Sequence, residues 1–245
     1  MESIELRGVT RKFKLQNNKD FFAINHINMV LKKGEILSVI GDSGSGKSTL
    51  ARMMLGLDRP TDGRVFIDEE DTTLWSYNKW RSQRRKLQGV FQDSSGTLNP
   101  MHSTLRNVEQ ALRNLTKMNS ENRKNRILEL MELVHMDKKL LNVPTRNLSG
   151  GEQRRLSLLR ALAIRPKYLI LDEVVSGLDS ASKEAVLAII KAYQTKYHCA
   201  CLFITHDKKS ACKISDRIIE MKQGKIIKIG ERTSERSIEH EKQIS

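Results

Sequence analysis

Ile36-Leu37-Ser38-Val39-Ile40-Gly41-Asp42-Ser43-Gly44-Ser45-Gly46-Lys47-Ser48-Thr49-Leu50 decides the fold of this chain. Residues 36–40 are almost wholly apolar and predict a buried strand, and residues 47–55 carry a helical pattern. Between them lies a full match to the phosphate-binding loop, G-x-x-x-x-G-K-[ST]. Strand, loop and helix in this order are the context that turns such a match into a prediction. Gly41, Gly44 and Gly46 let the backbone wrap closely and aim its N–H groups at the β- and γ-phosphates of a nucleotide. Lys47 adds positive charge there, the Ser48 hydroxyl suits Mg²⁺, and Thr49 reaches the α-phosphate side. The nine residues Gly41, Asp42, Ser43, Gly44, Ser45, Gly46, Lys47, Ser48 and Thr49 are therefore the candidate ATP-binding loop. Alone, they say only that a nucleotide is bound.

Further motifs follow at spacings that sharpen the reading. Tyr168-Leu169-Ile170-Leu171 predicts a second buried strand, and Asp172 at its carboxyl end can hold Mg²⁺. Glu173, one residue on, points elsewhere and suits a general base that polarises an attacking water. Gln92 ends a short β-like run where a helical region begins. Its carboxamide can ligate Mg²⁺, orient water and connect two lobes. Leu148-Ser149-Gly150-Gly151-Glu152-Gln153 precedes a helix, with Ser149 as a natural N-cap and two glycines exposing backbone N–H groups at the positive helix end. The chain already has one phosphate cradle, so a second anion site is most economical if it closes on a nucleotide held by another subunit. His206 follows a third apolar strand and can contact the γ-phosphate and brace the Glu173-activated water. Ser176-Gly177-Leu178-Asp179 forms a turn before a helix that reports across such a dimer. Phe13 is the favoured upstream aromatic for stacking on adenine, with Phe21 and Phe22 as rivals.

Short β-like runs at 4–9, 27–31, 36–40 and 64–67 fill the first part of the chain, with turn signals at Lys32-Lys33-Gly34 and Thr61-Asp62-Gly63. Residues 93–165 are mostly helical, with Ile127, Leu130, Met131 and Val134 at helical spacing. Strands resume at 168–171, 201–204, 217–221 and 225–229, with helices at 180–196 and 208–214. A helical segment is thus inserted into an α/β core. A polar tail, 232–245, is expected to be loosely held.

The 245 residues allow one large domain or two small lobes, and an apolar fraction of 38% suits a soluble protein. No apolar stretch approaches the roughly 18–20 residues of a membrane span. The start, Met1-Glu2-Ser3-Ile4-Glu5-Leu6-Arg7, has an early acid and no apolar run, so no secretory signal is expected. Cys199, Cys201 and Cys212 lack metal-ligand spacing and are expected as free thiols in a reducing cytosol. The net charge of +14 is concentrated in residues 76–165, with 18 Lys and Arg against 7 Asp and Glu. No nucleic-acid-binding signature accompanies it, so nucleic acid is not an expected partner. A solvated helix face accounts for most of this charge, and it also suits a protein held near an anionic membrane leaflet.

Together these residues resemble the ATP-binding subunits of ABC transporters over about residues 3–230. In that family's terms Gly41 to Thr49 look like Walker A, Gln92 like the Q-loop and Leu148 to Gln153 like the signature. Tyr168 to Asp172 with Glu173 look like Walker B and its base, Ser176 to Asp179 like the D-loop, and His206 like the switch histidine. The resemblance implies an α/β P-loop NTPase core with an antiparallel β subdomain and an inserted helical subdomain at about 93–165, together forming one ATP-binding domain, 1–231. It also implies ATP and Mg²⁺ as ligands, and two cassettes sandwiching two ATPs on the cytoplasmic face of the cell membrane.

Val90-Phe91-Gln92-Asp93 with Leu98-Asn99-Pro100, and Ala200-Cys201-Leu202-Phe203-Ile204-Thr205-His206-Asp207, look like the dipeptide, oligopeptide and nickel importer branch. The likeness is greatest to the second ATPase of nickel or metal–metallophore systems. Such systems pair two different ATPases with two integral-membrane permeases and an extracytoplasmic binding protein. The Gln92 to Pro100 segment and its neighbouring helices would receive the permease. Two departures stand out: no Pro follows Glu173, and Gly177 replaces a common Ala. A Cys-bearing carboxyl-terminal extension, common in peptide-transporting members, is not found after Gly230, which favours a metal cargo over short peptides. Exporter ATPases and soluble ABC ATPases acting on ribosomes or DNA are the rival readings. The latter usually carry two cassettes or a long coiled-coil insertion.

Overall fold

The computed structural model describes residues 2–14, 19–92 and 95–231. In chain order β1 (Ser3–Lys14), β2 (Asp20–Lys32) and β3 (Ile36–Ile40) lead through the phosphate loop to α1 (Lys47–Met54). Next come β4 (Asp62–Ile67), β5 (Glu70–Asp71), α2 (Tyr77–Gln83) and β6 (Leu87–Val90). Three helices follow: α3 (Thr104–Leu115), α4 (Ser120–Leu133) and α5 (Gly150–Ala163). The chain returns through β7 (Tyr168–Asp172), α6 (Ser180–Tyr197), β8 (Ala200–Thr205), α7 (Lys208–Ile214), β9 (Arg217–Lys222) and β10 (Lys225–Glu231).

The central sheet has the order β10-β9-β3-β8-β7-β6, with β9, β3, β8, β7 and β6 parallel and β10 antiparallel at the edge. Every residue of β3, β7 and β8 is buried, as expected for parallel strands covered on both faces. The alternation of side chains sorts them into two cores. Leu37, Val39, Tyr168, Ile170, Leu202 and Ile204 pack with α1 and the second sheet. Leu169, Leu171, Cys201 and Phe203 pack on the other face with Leu156, Leu159, Ile189 and Ile190 of α5 and α6. The second sheet, β2-β1-β4-β5, is antiparallel.

β1 and β2 run well past the predicted 4–9 and 27–31. Their pairing shifts register between Leu6 and Val9, Val9 and Arg11, and Arg11 and Lys12. Such irregularities break the period-two pattern while the ladder continues, so the sequence signal stops before Phe13 and Phe21. The helix α2 was also not foreseen: half-buried Trp80 alone among its residues packs on the core, so no apolar period repeats, and its local signal is the Ser76 hydroxyl accepting from Lys79 N–H. Cys199, Cys201 and Cys212 are free thiols, and the buried Cys199 and Cys201 sulfurs lie 3.4 Å apart. No helix among the described residues is long and apolar enough to cross a membrane. The expected polar tail, 232–245, lies outside the described residues, as does Asp93 beside Gln92.

One polar cluster fastens the three-helix lobe to the core. The buried Arg126 of α4 donates to Glu129, to the Tyr197 hydroxyl of α6 and to the Leu162 carbonyl of α5. Tyr193 of α6 donates to the same Leu162 carbonyl at 3.0 Å. Lys196 bonds Glu129 at 2.9 Å and, with Arg126, lowers the Glu129 carboxyl to about 2 from an ordinary 4.5. A depressed carboxylate contributes stability that is complete above its unfolded pKa and is lost as pH falls through the folded one. Glu129→Gln is therefore expected to lower stability by roughly 1 kcal/mol at pH 7, the scale of a partly exposed ion pair. The gap to wild type should shrink between pH 4.5 and about 2, as read by urea denaturation across that window.

Candidate functional site

The site forms where the parallel strands end. Parallel register sets Ile40 beside Thr205, Asp172 beside Ile204, and Val90 beside Leu171. The phosphate loop, His206, Glu173 and Gln92 therefore leave one edge of the sheet together, the usual place for a ligand in such sheets. They line a cavity of about 800 Å³ that also takes in Phe13, Phe21, Asp42, Ser43, Gly44, Gly46, Lys47, Ser48, Thr49 and Ser176. Phe13 and Phe21 face each other across the β1–β2 ladder and both border the cavity, whereas Phe22 does not.

The loop is shaped by close packing as much as by its opening. A Cβ on Gly46, at φ 102°, would sit 2.2 Å from the Ala23 carbonyl oxygen, and one on Gly41 would sit 2.2 Å from that of Met221. Gly44, at φ 78°, meets nothing within 4 Å on the cavity side. Helix α1 begins with no side-chain cap and no acid in its first turn. Its leading amides and positive dipole end are thus left for an anion. Lys47 is buried and donates to the carbonyls of Gly41 at 2.7 Å and Asp42 at 2.8 Å. Ser45 is buried, with its hydroxyl facing no partner.

Asp172 ends β7 at 4% exposure, and its Oδ1 has no hydrogen-bond partner. Burial raises its carboxyl above the usual range, against the opposing pull of the Ser48 hydroxyl and Lys47, while Glu173 adds to the rise. Glu173 then turns into the left-handed region, at φ 54°, with its N–H on the Ile204 carbonyl at 3.0 Å. That turn swings its side chain away from Asp172 and onto His206, where Oε2 lies 2.9 Å from Nδ1. The imidazole is exposed while the carboxylate is mostly buried.

The signature segment lies apart from this cavity. Ser149 caps α5 in a full capping box: its hydroxyl accepts from Glu152 N–H at 3.3 Å, and Glu152 accepts from Ser149 N–H at 2.7 Å. Gln153 donates to the carbonyls of Thr145 and Leu148, and Leu148 is buried in the core. Three of the six residues named for this segment thus work inward to hold it. Ser149 and Gly150 are exposed, and no atom outside the immediate backbone lies within 4 Å of a Cβ built on Gly150. Gly150, Gly151, Gln153, Gly177 and Leu178 line a second cavity of about 360 Å³, and Gln92 borders both cavities. Asp179 caps α6 through Ser182 N–H at 3.0 Å, and Leu178 packs against the core.

Sequence reasoning missed two arginines of α5. Arg160 grips Thr97 through its carbonyl at 2.6 Å and hydroxyl at 2.8 Å, fastening the segment after Gln92. Arg154 donates to the Ser176 carbonyl at 2.7 Å. Their identity gives no local signal, since both acceptors are distant in sequence.

A loop of phosphate-binding pattern, an apolar strand ending in Asp172 and Glu173, and a capped helix after Ser149 accompany one parallel sheet, the arrangement expected of an ATP-binding cassette ATPase. The family model described as ABC transporter matches residues 24–176, and the chain belongs to that family. The nickel import ATP-binding protein NikE of Escherichia coli (strain K12) is 36% identical over 204 residues, 83% of this chain and 76% of that protein. NikE of Shigella boydii serotype 4 (strain Sb227) matches with the same figures. Among solved structures, the dimeric bacterial ABC transporter cassette MJ0796 superposes with a TM-score of 0.86 at 31% identity, covering 94% of this chain and 99% of that one. The same cassette bound to ADP and Pi in a post-hydrolysis state matches equally. The cbiO1 protein of Clostridium perfringens, part of the ABC transporter complex cbiONQ, has a TM-score of 0.82 at 26% identity, covering 94% and 88%. The expected P-loop ATPase fold is met, and the chain is an ATPase of the ABC family.

The two kinds of glycine separate experimentally. Gly46→Ala should destabilise the nucleotide-free chain by about 2–4 kcal/mol, from overpacking against backbone plus left-handed strain. Gly44→Ala should cost only about 1 kcal/mol yet obstruct phosphate entry. Urea denaturation and ATP titration of both variants measure this.

Proposed function

We propose that this chain is the ATP-hydrolysing subunit of an importer for nickel, cobalt, zinc or a metal–metallophore complex. It would work with a second, different ABC ATPase, two permeases and an extracytoplasmic binding protein, peripherally on the cytoplasmic face of the membrane. One observation carries the ATPase chemistry: the Glu173–His206 contact at the mouth of the phosphate-loop cavity. The cargo class rests on relatives named for nickel import.

In this reading the amides of Gly41 to Thr49 and the Lys47 ammonium hold the phosphates of ATP, and Phe13 stacks on the base. The orphaned Oδ1 of Asp172 beside the Ser48 hydroxyl fits Mg²⁺, with Gln92 as a further oxygen donor. Mg²⁺ would supply charge neutralisation of the phosphate oxygens. Glu173 accepts the proton of a water as that water's oxygen attacks the γ-phosphorus. The bond to the β–γ bridging oxygen breaks and its electron pair leaves with ADP. His206 holds the Glu173 carboxylate in place through Nδ1. Ser149, Gly150 and Gly151 close on the nucleotide of the partner subunit, held outward by Leu148, Glu152 and Gln153. The turn Ser176, Gly177, Leu178 and Asp179 lies beside both cavities and would carry information between the two sites.

Glu173→Gln should bind ATP within about twofold of wild type while turnover of the assembled complex falls by roughly 10²–10⁴; normal steady-state ATPase activity would remove Glu173 as base. Ser149→Arg should leave ATP binding to the isolated chain intact but abolish ATP-dependent pairing and transport, and unchanged transport would end the composite-site reading. For cargo and partners, tagged Glu173→Gln chain is pulled from detergent-solubilised membranes with ATP, and nickel uptake is followed in cells lacking the chain. Two permeases, a second ATPase and lost nickel uptake are expected. Unchanged nickel uptake with impaired peptide uptake would transfer the chain to the peptide branch, and recovered ribosomes or DNA-repair proteins would overturn the transporter reading.

A further inference from the structure

Arg154 stands in the second turn of α5, behind the exposed Ser149 and Gly150, and lines the smaller cavity with Gly150, Gly151 and Gly177. Its guanidinium donates to the Ser176 carbonyl at 2.7 Å. The N–H of the same Ser176 donates to the Glu173 carbonyl at 3.1 Å, and the Glu173 carboxylate meets His206. Ser176 itself borders the phosphate-loop cavity. An unbroken path therefore runs from the helix that presents the signature to the carboxylate that faces this chain's own nucleotide.

The acceptor side of that path is an exposed turn between the buried Val175 and the cap of α6. Gly177, next to Ser176, is exposed, sits at φ 70° and has nothing within 4 Å of a built Cβ. The Leu178 N–H reaches the Val175 carbonyl only at 3.4 Å. The donor side is rigid, since α5 is capped at Ser149 and buried along Leu156, Leu158 and Leu159. A charged donor on a capped, buried helix bonded to a main-chain carbonyl couples the position of the turn to that of the helix.

We propose that Arg154 is a positioning residue: it ties the first turns of α5 to the Ser176 turn, so that a nucleotide seated on the signature sets Glu173 of the same chain. This rests on the composite-site reading above. The guanidinium touches neither ATP nor water in this role; it acts through the Ser176 backbone. The acceptor is main chain, so the chemistry lies wholly in the donor. Arg154→Met keeps the aliphatic stem and removes the donor, whereas Arg154→Lys keeps a shorter donor.

The test is the ATP dependence of steady-state turnover by the assembled transporter. Arg154→Met should lower kcat about tenfold and bring the Hill coefficient for ATP down to 1, with ATP KM and melting temperature near wild type. Arg154→Lys should recover a good part of both losses. A wild-type kcat and Hill coefficient in Arg154→Met would overturn the tether, as would a loss confined to melting temperature or KM that Lys does not restore. Should Arg154→Met fail to fold, Arg154→Lys decides alone: an intermediate Hill coefficient at unchanged melting temperature supports the tether, and a wild-type one removes it. A wild-type Hill coefficient of 1 removes it too, while leaving the ATPase reading intact. Absence of ATP turnover by the wild-type complex would instead strike the proposed function, and the tether with it.

Discussion

Parallel ladder geometry between β3, β8 and β7 is the constraint on which the site depends. It fixes Ile40, Thr205 and Asp172 at nearly one level, so the three loops that follow have no choice but to meet. A slip of one residue in any of these strands would exchange its two faces. In β7 that would send Tyr168 and Ile170 to the α5 side and draw Asp172 away from Ser48. Burial on both faces makes such a slip costly, because most of their apolar side chains already have a fitted place in one of two cores. The register that gathers these loops is thus enforced largely by hydrocarbon packing within the strands.

The three-helix lobe is aimed by a different device. Arg126, Tyr193 and Tyr197 bring α4 and α6 to one carbonyl of α5, that of Leu162. With its carboxyl half held there and Arg154 near its amino end bonded to the Ser176 carbonyl, α5 is anchored at both ends. The signature then presents only Ser149 and the two glycines, since the larger side chains of the motif are spent on holding it. That division leaves Ser149 and Gly150 exposed while their neighbours bond inward.

Much of this was legible in the chain because the phosphate loop, the apolar strands and the Ser-Gly-Gly cap are local patterns, each with its chemistry within a few residues. The strand ends, α2 and the arginine clamps were not. β1 and β2 lose their alternation at register shifts, and α2 sets a single side chain, Trp80, against the core, too little to mark a helical period. Arg154 and Arg160 reach acceptors 22 and 63 residues away, and a cation in a basic stretch looks the same whether it ends in water or on a carbonyl. The inward roles of Glu152 and Gln153 were hidden for the converse reason: the motif names residues together that the fold separates by direction.

The lysine of the phosphate loop has a further consequence. In this structure its ammonium is already bonded to the carbonyls of Gly41 and Asp42, so a polyphosphate that draws Lys47 outward exchanges existing bonds for new ones. The heat released on nucleotide binding is then a difference between two well-formed sets, smaller than the number of contacts made would indicate. Calorimetry on this chain would record the loop's rearrangement together with the ligand's arrival, and tight binding and a modest enthalpy would be compatible.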